Sequence, residues 1–151
     1  MKHGATMARG KSGSLSSEMK RYLQQYPKTE SIELLVPDAH GILKGKRIRP
    51  HDFDKVCKDG FFFCGGVTLL TALGETIPGM PYTEADGDPD VPAKLVPGSI
   101  APIPWAQRPT GQALFRLHFD DGTPFFGDPR AVLESALAPF RKRGIKVVMA
   151  T

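Results

Sequence analysis

The sequence predicts an α+β domain in which short helices pack on a mixed, largely antiparallel sheet. Three observations point there. Apolar residues recur with period 2 in some stretches and with helical spacing in others, and the two kinds do not follow a βαβ rhythm. Sixteen Gly and fourteen Pro break the 151 residues into short elements and exclude a helical bundle. The 40% hydrophobic and 24% charged composition is that of one globular domain, long enough to bury a core without disulfides or metals. No apolar run approaches the roughly 18–20 residues of a membrane span.

Residues 1–15 read as a flexible basic leader, in which Met7 offers a second start. A helix is expected from Ser16, because Met19, Tyr22, Leu23 and Tyr26 share a face; Ser16 or Ser17 caps it and Pro27 stops it. Ile32, Leu34 and Val36 alternate as a strand. Asp38-Ala39-His40-Gly41 is a turn, and residues 42–48 return as the second strand of a hairpin. Pro50 opens a short helix in which Phe53, Val56 and Cys57 share a face, ended by Asp59-Gly60. Residues 66–73 suit a third strand, 74–90 a polar loop, 91–96 a short strand, and 97–109 a Pro-rich crossing that carries Trp105. Ala113, Phe115, Leu117 and Phe119 alternate, and Asp121-Gly122 turns the chain. Asp128 caps a helix with Pro129 at its first position; Val132, Leu133, Ala136, Leu137 and Phe140 form its apolar stripe, and Gly144 stops it. Residues 145–150 are expected to form a final apolar strand.

The formal charge is +4, with a pI near 9.2. Lys2, Arg9 and Lys11 lie in the leader, and removing those three charges leaves +1 for the body. The basic pI therefore describes a tail. That tail gives an RNA- or membrane-surface reading its only support. The Lys44–Arg49 cluster does not add to it: on a strand Lys44 and Lys46 face one way, Arg47 and Arg49 the other, and no aromatic platform is interleaved. Neither nucleic acid nor a membrane is expected as a partner.

Cys57 and Cys64 sit among Phe53, Val56, Phe61, Phe62 and Phe63 and read as small buried hydrophobes, far from a C-x-x-C spacing. The leader holds no apolar segment of a secretory signal, so a cytoplasmic location is expected. There is no P-loop, no G-x-G-x-x-G and no G-x-S-x-G elbow. His3, His40, His51 and His118 lack metal-ligand spacing, and His118 reads as structural. Glu84, Asp86, Asp88 and Asp90 lack the calcium-loop frame and read as a solvated acidic loop. No catalytic residue, metal ligand or bound cofactor is assigned to this chain.

Four stretches together carry a signature. Asp38-Ala39-His40-Gly41-Ile42-Leu43-Lys44-Gly45-Lys46-Arg47-Ile48 resembles the hairpin that opens glutamine synthetase-like ligases. Gly87-Asp88-Pro89-Asp90 followed by Leu95-Val96-Pro97, then Ile103-Pro104-Trp105, then Asp121 to Arg130 (DGTPFFGDPR), resemble later segments of that family in the same order. The γ-glutamylputrescine synthetase-like branch, which joins glutamate to polyamines, is nearest in flavour. The resemblance implies a β-grasp amino-terminal domain over 16–127. It also implies a helix and strand over 128–151 that lead into a larger catalytic domain, of which this chain is a fragment.

In that family ATP drives formation of γ-glutamyl phosphate, an amine then attacks, and Mg²⁺ or Mn²⁺ offsets phosphate charge. By resemblance, the full-length enzyme would bind ATP and the metal and form a homo-oligomeric ring. This domain would supply subunit contacts and one wall of the active site, and would be inactive alone. Ammonia-using members carry an Asp, and a Ser three positions later, on the loop after the third strand. Thr71 and Gly74 stand there in this sequence. A neutral hydroxyl does not replace a carboxylate beside an ammonium ion, so the departure fits a different amine or an inactive paralogue. Loop 74–80, with Thr71, Gly74, Glu75 and Thr76, is the candidate pocket wall. The alternative is a stand-alone β-grasp module that binds a protein partner and performs no chemistry.

Overall fold

The computed structural model describes residues 12–59 and 61–148. Its elements in chain order are α1 (Ser12–Gln25), β1 (Ser31–Pro37), β2 (Leu43–Ile48), a 3₁₀ turn (Pro50–Asp52) running into α2 (Phe53–Asp59), and β3 (Phe61–Cys64). Two further 3₁₀ turns, Gly65–Leu69 and Glu84–Asp86, precede β4 (Asp90–Leu95), β5 (Ala101–Pro102), β6 (Thr110–Leu117) and α3 (Pro129–Lys142). The strands form one mixed sheet in the order β2-β1-β6-β4-β3, with β5 also paired to β6. Among the described strands only β1 and β6 run parallel; the other pairings are antiparallel. This is the α+β, β-grasp-like architecture the sequence predicts.

Alternation decides which face is buried. Ile32, Leu34 and Val36 of β1 and Ala113, Phe115 and Leu117 of β6 point into one core, which Met19 and Tyr22 of α1 and Phe53 of α2 cover. The first helix meets the sheet closely at one point. A Cβ at Gly111 would lie 2.6 Å from the Tyr22 hydroxyl and 2.8 Å from Ile32 Cδ1, so only glycine lets α1 seat on β6 there.

The sheet curls until its two edge strands face each other across Lys46. Lys46 Nζ donates to the Phe62 carbonyl at 3.0 Å and lies 5.2 Å from the Phe61 ring centroid. Lys44 pairs with Asp38, and Arg47 pairs with Glu33. The split of the basic cluster is as expected, and these three cations are committed within the domain.

Several expectations are corrected. The first helix begins at Ser12, not Ser16. Ser12, Ser14, Ser16 and Ser17 are all competent caps, so the sequence does not single one out. Residues 1–11 of the expected leader lie outside the described residues. The third strand is Phe61–Cys64, not 66–73. Phe61 and Phe63 supply the buried alternation, whereas Gly65 and Gly66 admit a tight turn that Thr68 closes by donating to the Gly65 carbonyl. Within the crossing, Ala101 and Pro102 pair with β6. Cys64 is half-buried, because the chain leaves the sheet there. The side chain of Cys57 lies outside the described residues.

The C-terminal segment departs furthest. Residues 145–148 join no strand among the described residues, with Val148 80% exposed, and 149–151 lie outside the described residues. An apolar run becomes a strand only when a neighbouring strand takes its backbone groups. The stripe on α3 likewise has no cover: Val132 is 59% exposed, and Leu133 and Phe140 nearly half.

What fixes α3 is its first turn. Asp128 is fully buried and its Oδ1 accepts from the N–H groups of Arg130 and Ala131, as expected for the cap. Its Oδ2 accepts from Leu117 N–H at 3.1 Å and lies 3.6 Å from Arg116 Nε. Arg116 also reaches Glu134 at 2.7 Å. His118 is held within the fold: its backbone bridges to Pro124, and its Nδ1 lies 3.1 Å from the Arg116 carbonyl. Burial, then the Lys94 charge, lowers its pKa.

Asp128→Ala leaves a cap and a buried strand amide unsatisfied. The expected loss is about 2–4 kcal/mol in urea unfolding, with α3 amides losing exchange protection before those of β6.

Candidate functional site

The hairpin turn is built around one buried carboxylate. Asp38 is 1% exposed, and its Oδ1 accepts from the N–H of His40 at 2.9 Å and of Ile42 at 2.8 Å. Its backbone closes the same turn: Asp38 N–H donates to the Ile42 carbonyl, and Gly41 N–H to the Asp38 carbonyl. Oδ2 has no hydrogen-bond partner and is compensated by Lys44 Nζ at 3.4 Å. Burial alone would raise this carboxyl's pKa. The Ile42 and His40 amides and the Lys44 ammonium outweigh it and hold the pKa below the ordinary value.

The turn presents His40 to the second part of the site. The His40 ring Nε2 lies 3.3 Å from the Leu70 carbonyl. Leu70 is where the chain leaves the 3₁₀ turn anchored by buried Thr68 and enters an exposed loop. That loop closes on itself at once. Thr71 N–H donates to the Glu75 carbonyl and Gly74 N–H to the Thr71 carbonyl, both at 2.9 Å. Glu75 N–H donates to Thr71 Oγ1 at 3.1 Å. Gly74 sits at φ +83°, a conformation a side chain would strain, so the tight return needs glycine. Glu75 and Thr76 are exposed, and Leu73, at the tip, is 85% exposed.

The far end of the loop is held differently. Tyr82 adopts φ +63°, its N–H donates to Asp86 Oδ2 at 2.7 Å, and its ring packs edge-on against Phe125 and Phe126. Asp86 thus serves the loop's own backbone. Among the described residues no three His, Cys, Asp or Glu side chains group as metal ligands.

The structure therefore brings Thr71, Gly74 and Glu75 into one closed loop, with Thr76 following it on the surface. The loop carries a neutral hydroxyl at Thr71, engaged by the Glu75 N–H, and an exposed carboxylate at Glu75. Sequence reasoning passed over His40 as a functional residue. Its place in the Asp-x-x-Gly turn was the available signal, but its partner lies 30 residues away. A cleft of about 530 Å³ between Tyr22, Tyr26 and the 102–110 segment shares no residue with this loop.

No family model matches the chain. Gamma-glutamylputrescine synthetase PuuA of Escherichia coli (strain K12) is 33% identical over 137 residues, covering 91% of this chain and 29% of that protein. Glutamine synthetase of Pyrococcus abyssi is 27% identical, over 86% of this chain and 26% of its own length. The chain is an amino-terminal domain of the glutamine synthetase family. Among solved structures, the GmaS/ADP complex superposes with a TM-score of 0.61 at 22% identity, over 83% of this chain and 26% of its own, which supports the fold. This glutamine synthetase-family domain thus spans between a quarter and a third of the length of these three proteins.

Because the folded-state pKa of Asp38 is depressed, its contribution to stability is present above the unfolded pKa of about 4 and is lost as pH falls through the folded value. The urea midpoint is expected to drop over that acidic window. In Asp38→Asn, which keeps an acceptor but no charge, the acidic drop should be smaller.

Proposed function

We propose that this domain is the amino-terminal part of an ATP-dependent glutamate–amine ligase, in which it makes subunit contacts and lends loop 71–76 as one wall of the amine pocket. The observation that carries the reading is the 33% identity to a γ-glutamylputrescine synthetase across 91% of the chain. The uncovered stripe of α3 supports it, since Val132, Leu133 and Phe140 form the kind of apolar surface a following domain would bury. In the proposed enzyme the γ-carboxylate of glutamate takes the terminal phosphoryl group of ATP. The amine nitrogen then attacks the γ-carbon, phosphate leaves and the nitrogen gives up a proton.

The described residues do not form a metal site. In this reading ATP and Mg²⁺ or Mn²⁺ are taken up by the larger enzyme, and the domain alone is inactive. Its own contribution is shape and charge. Thr71, engaged by Glu75 N–H, does not supply a carboxylate where ammonia-using members carry one, and the carboxylate of this loop lies instead at exposed Glu75. That fits a polyamine or other amine in place of ammonia, and equally an inactive paralogue. A homo-oligomeric ring and a cytoplasmic location complete the proposal; no helix among the described residues is long and apolar enough to cross a membrane.

Two measurements test the reading. The 151-residue chain, given ATP, Mg²⁺, glutamate and a panel of amines, is expected to show no amine-dependent ATP hydrolysis; turnover would overturn its inactivity alone. In sedimentation the isolated chain is expected to self-associate through α3. Val132→Glu combined with Phe140→Glu should render it monomeric while changing stability by less than about 0.5 kcal/mol. Loss of folding in that variant would show that the stripe packs within the domain.

A further inference from the structure

We propose that His40 is a positioning residue that fixes the entry of loop 71–76, which makes the hairpin turn a support for the pocket wall. This rests on the reading of that loop as the wall. A carbonyl oxygen only accepts, so the 3.3 Å contact is a bond only with the hydrogen on His40 Nε2, donated to Leu70. The contact falls at the point where the chain passes from the buried Thr68 anchor to exposed backbone. A restraint there limits how the whole loop swings.

The direction of support follows from what holds each side. The turn is locked by two charge-assisted bonds into a buried carboxylate, two backbone bonds and the Lys44 ion pair. Among the described residues the loop is held by neutral bonds linking Thr71, Gly74 and Glu75, of which Gly74 and Glu75 are exposed. The stiffer member sets the position of the softer one. At the loop's other end Tyr82 is fixed by ring packing and by Asp86, without contribution from the turn. The wall is thus pinned at two independent points, and His40 governs only the first.

The test uses the ¹⁵N-labelled 151-residue chain. In His40→Ala the amides of Thr71, Gly74 and Glu75 are expected to exchange about three- to tenfold faster, the scale of one net hydrogen bond. Those of Tyr82 and Asp88 should keep their rates, and the melting temperature should hold because His40 is exposed. His40→Gln, whose amide nitrogen still donates, should restore most of the protection. Unchanged exchange at Thr71–Glu75, equal loosening at both ends of the loop, or failure of the Gln variant to rescue would each overturn the proposal. None of these readouts involves ATP or an amine, so they stand apart from failure of the ligase reading.

Discussion

β6 must have its hydrogen bonds satisfied on both edges while five of its eight residues are buried. The surrounding elements are placed by that demand. β1 takes one edge in parallel as far as Leu114. Beyond it the Phe125 amide and the Asp128 carboxylate serve Leu117 in place of a strand. The other edge is served in succession by β5 and β4. An unpaired amide in that position would cost about 1–3 kcal/mol, which exceeds what most single side-chain contacts return. The sheet order, the return of the chain after the Asp121-Gly122 turn and the origin of α3 all follow from it.

The candidate wall is built on the opposite principle. Its loop carries no core residue from Ala72 to Gly79 and owes its shape to anchors outside it. One anchor is electrostatic, the Asp38 turn acting through His40. The other is apolar, the Tyr82 ring among Phe125 and Phe126. A buried charge is costly to displace and an aromatic cluster is costly to open. An exposed loop between two such anchors can present polar groups in a set place without a core of its own. α3 shows the complementary case, in which the cap is secure and the apolar face is left for another surface.

Legibility followed the range of the interaction. The hairpin, the Asp128 cap with Pro129, and the alternation of Ala113, Phe115 and Leu117 were readable because their partners are close in sequence or set by periodicity. The 66–73 strand was misread because its apolar residues mimic alternation. The nearby Phe61 and Phe63 had the better claim to β4, a competition decided by pairing. Residues 145–148 had strand composition without a strand beside them. For the candidate loop, resemblance pointed to Thr71 and Gly74, and to Glu75 and Thr76 beside them. The link from His40 to Leu70 left no trace, since an exposed histidine in a turn has no pattern that names a carbonyl 30 residues on.

The sequence by itself determined the α+β class, the hairpin and the cap of α3, and its motifs pointed to the family. Each depends on residue identity at short spacing, where backbone geometry and local hydrogen bonding leave few alternatives. Tertiary structure alone decided the parallel pairing of β1 with β6, the meeting of the sheet's edges at Lys46, the exposure of the α3 stripe and the tie between turn and loop. Those are contacts between distant segments. Their energies depend on which surfaces remain uncovered once β6 has taken its partners, and no local pattern carries that information.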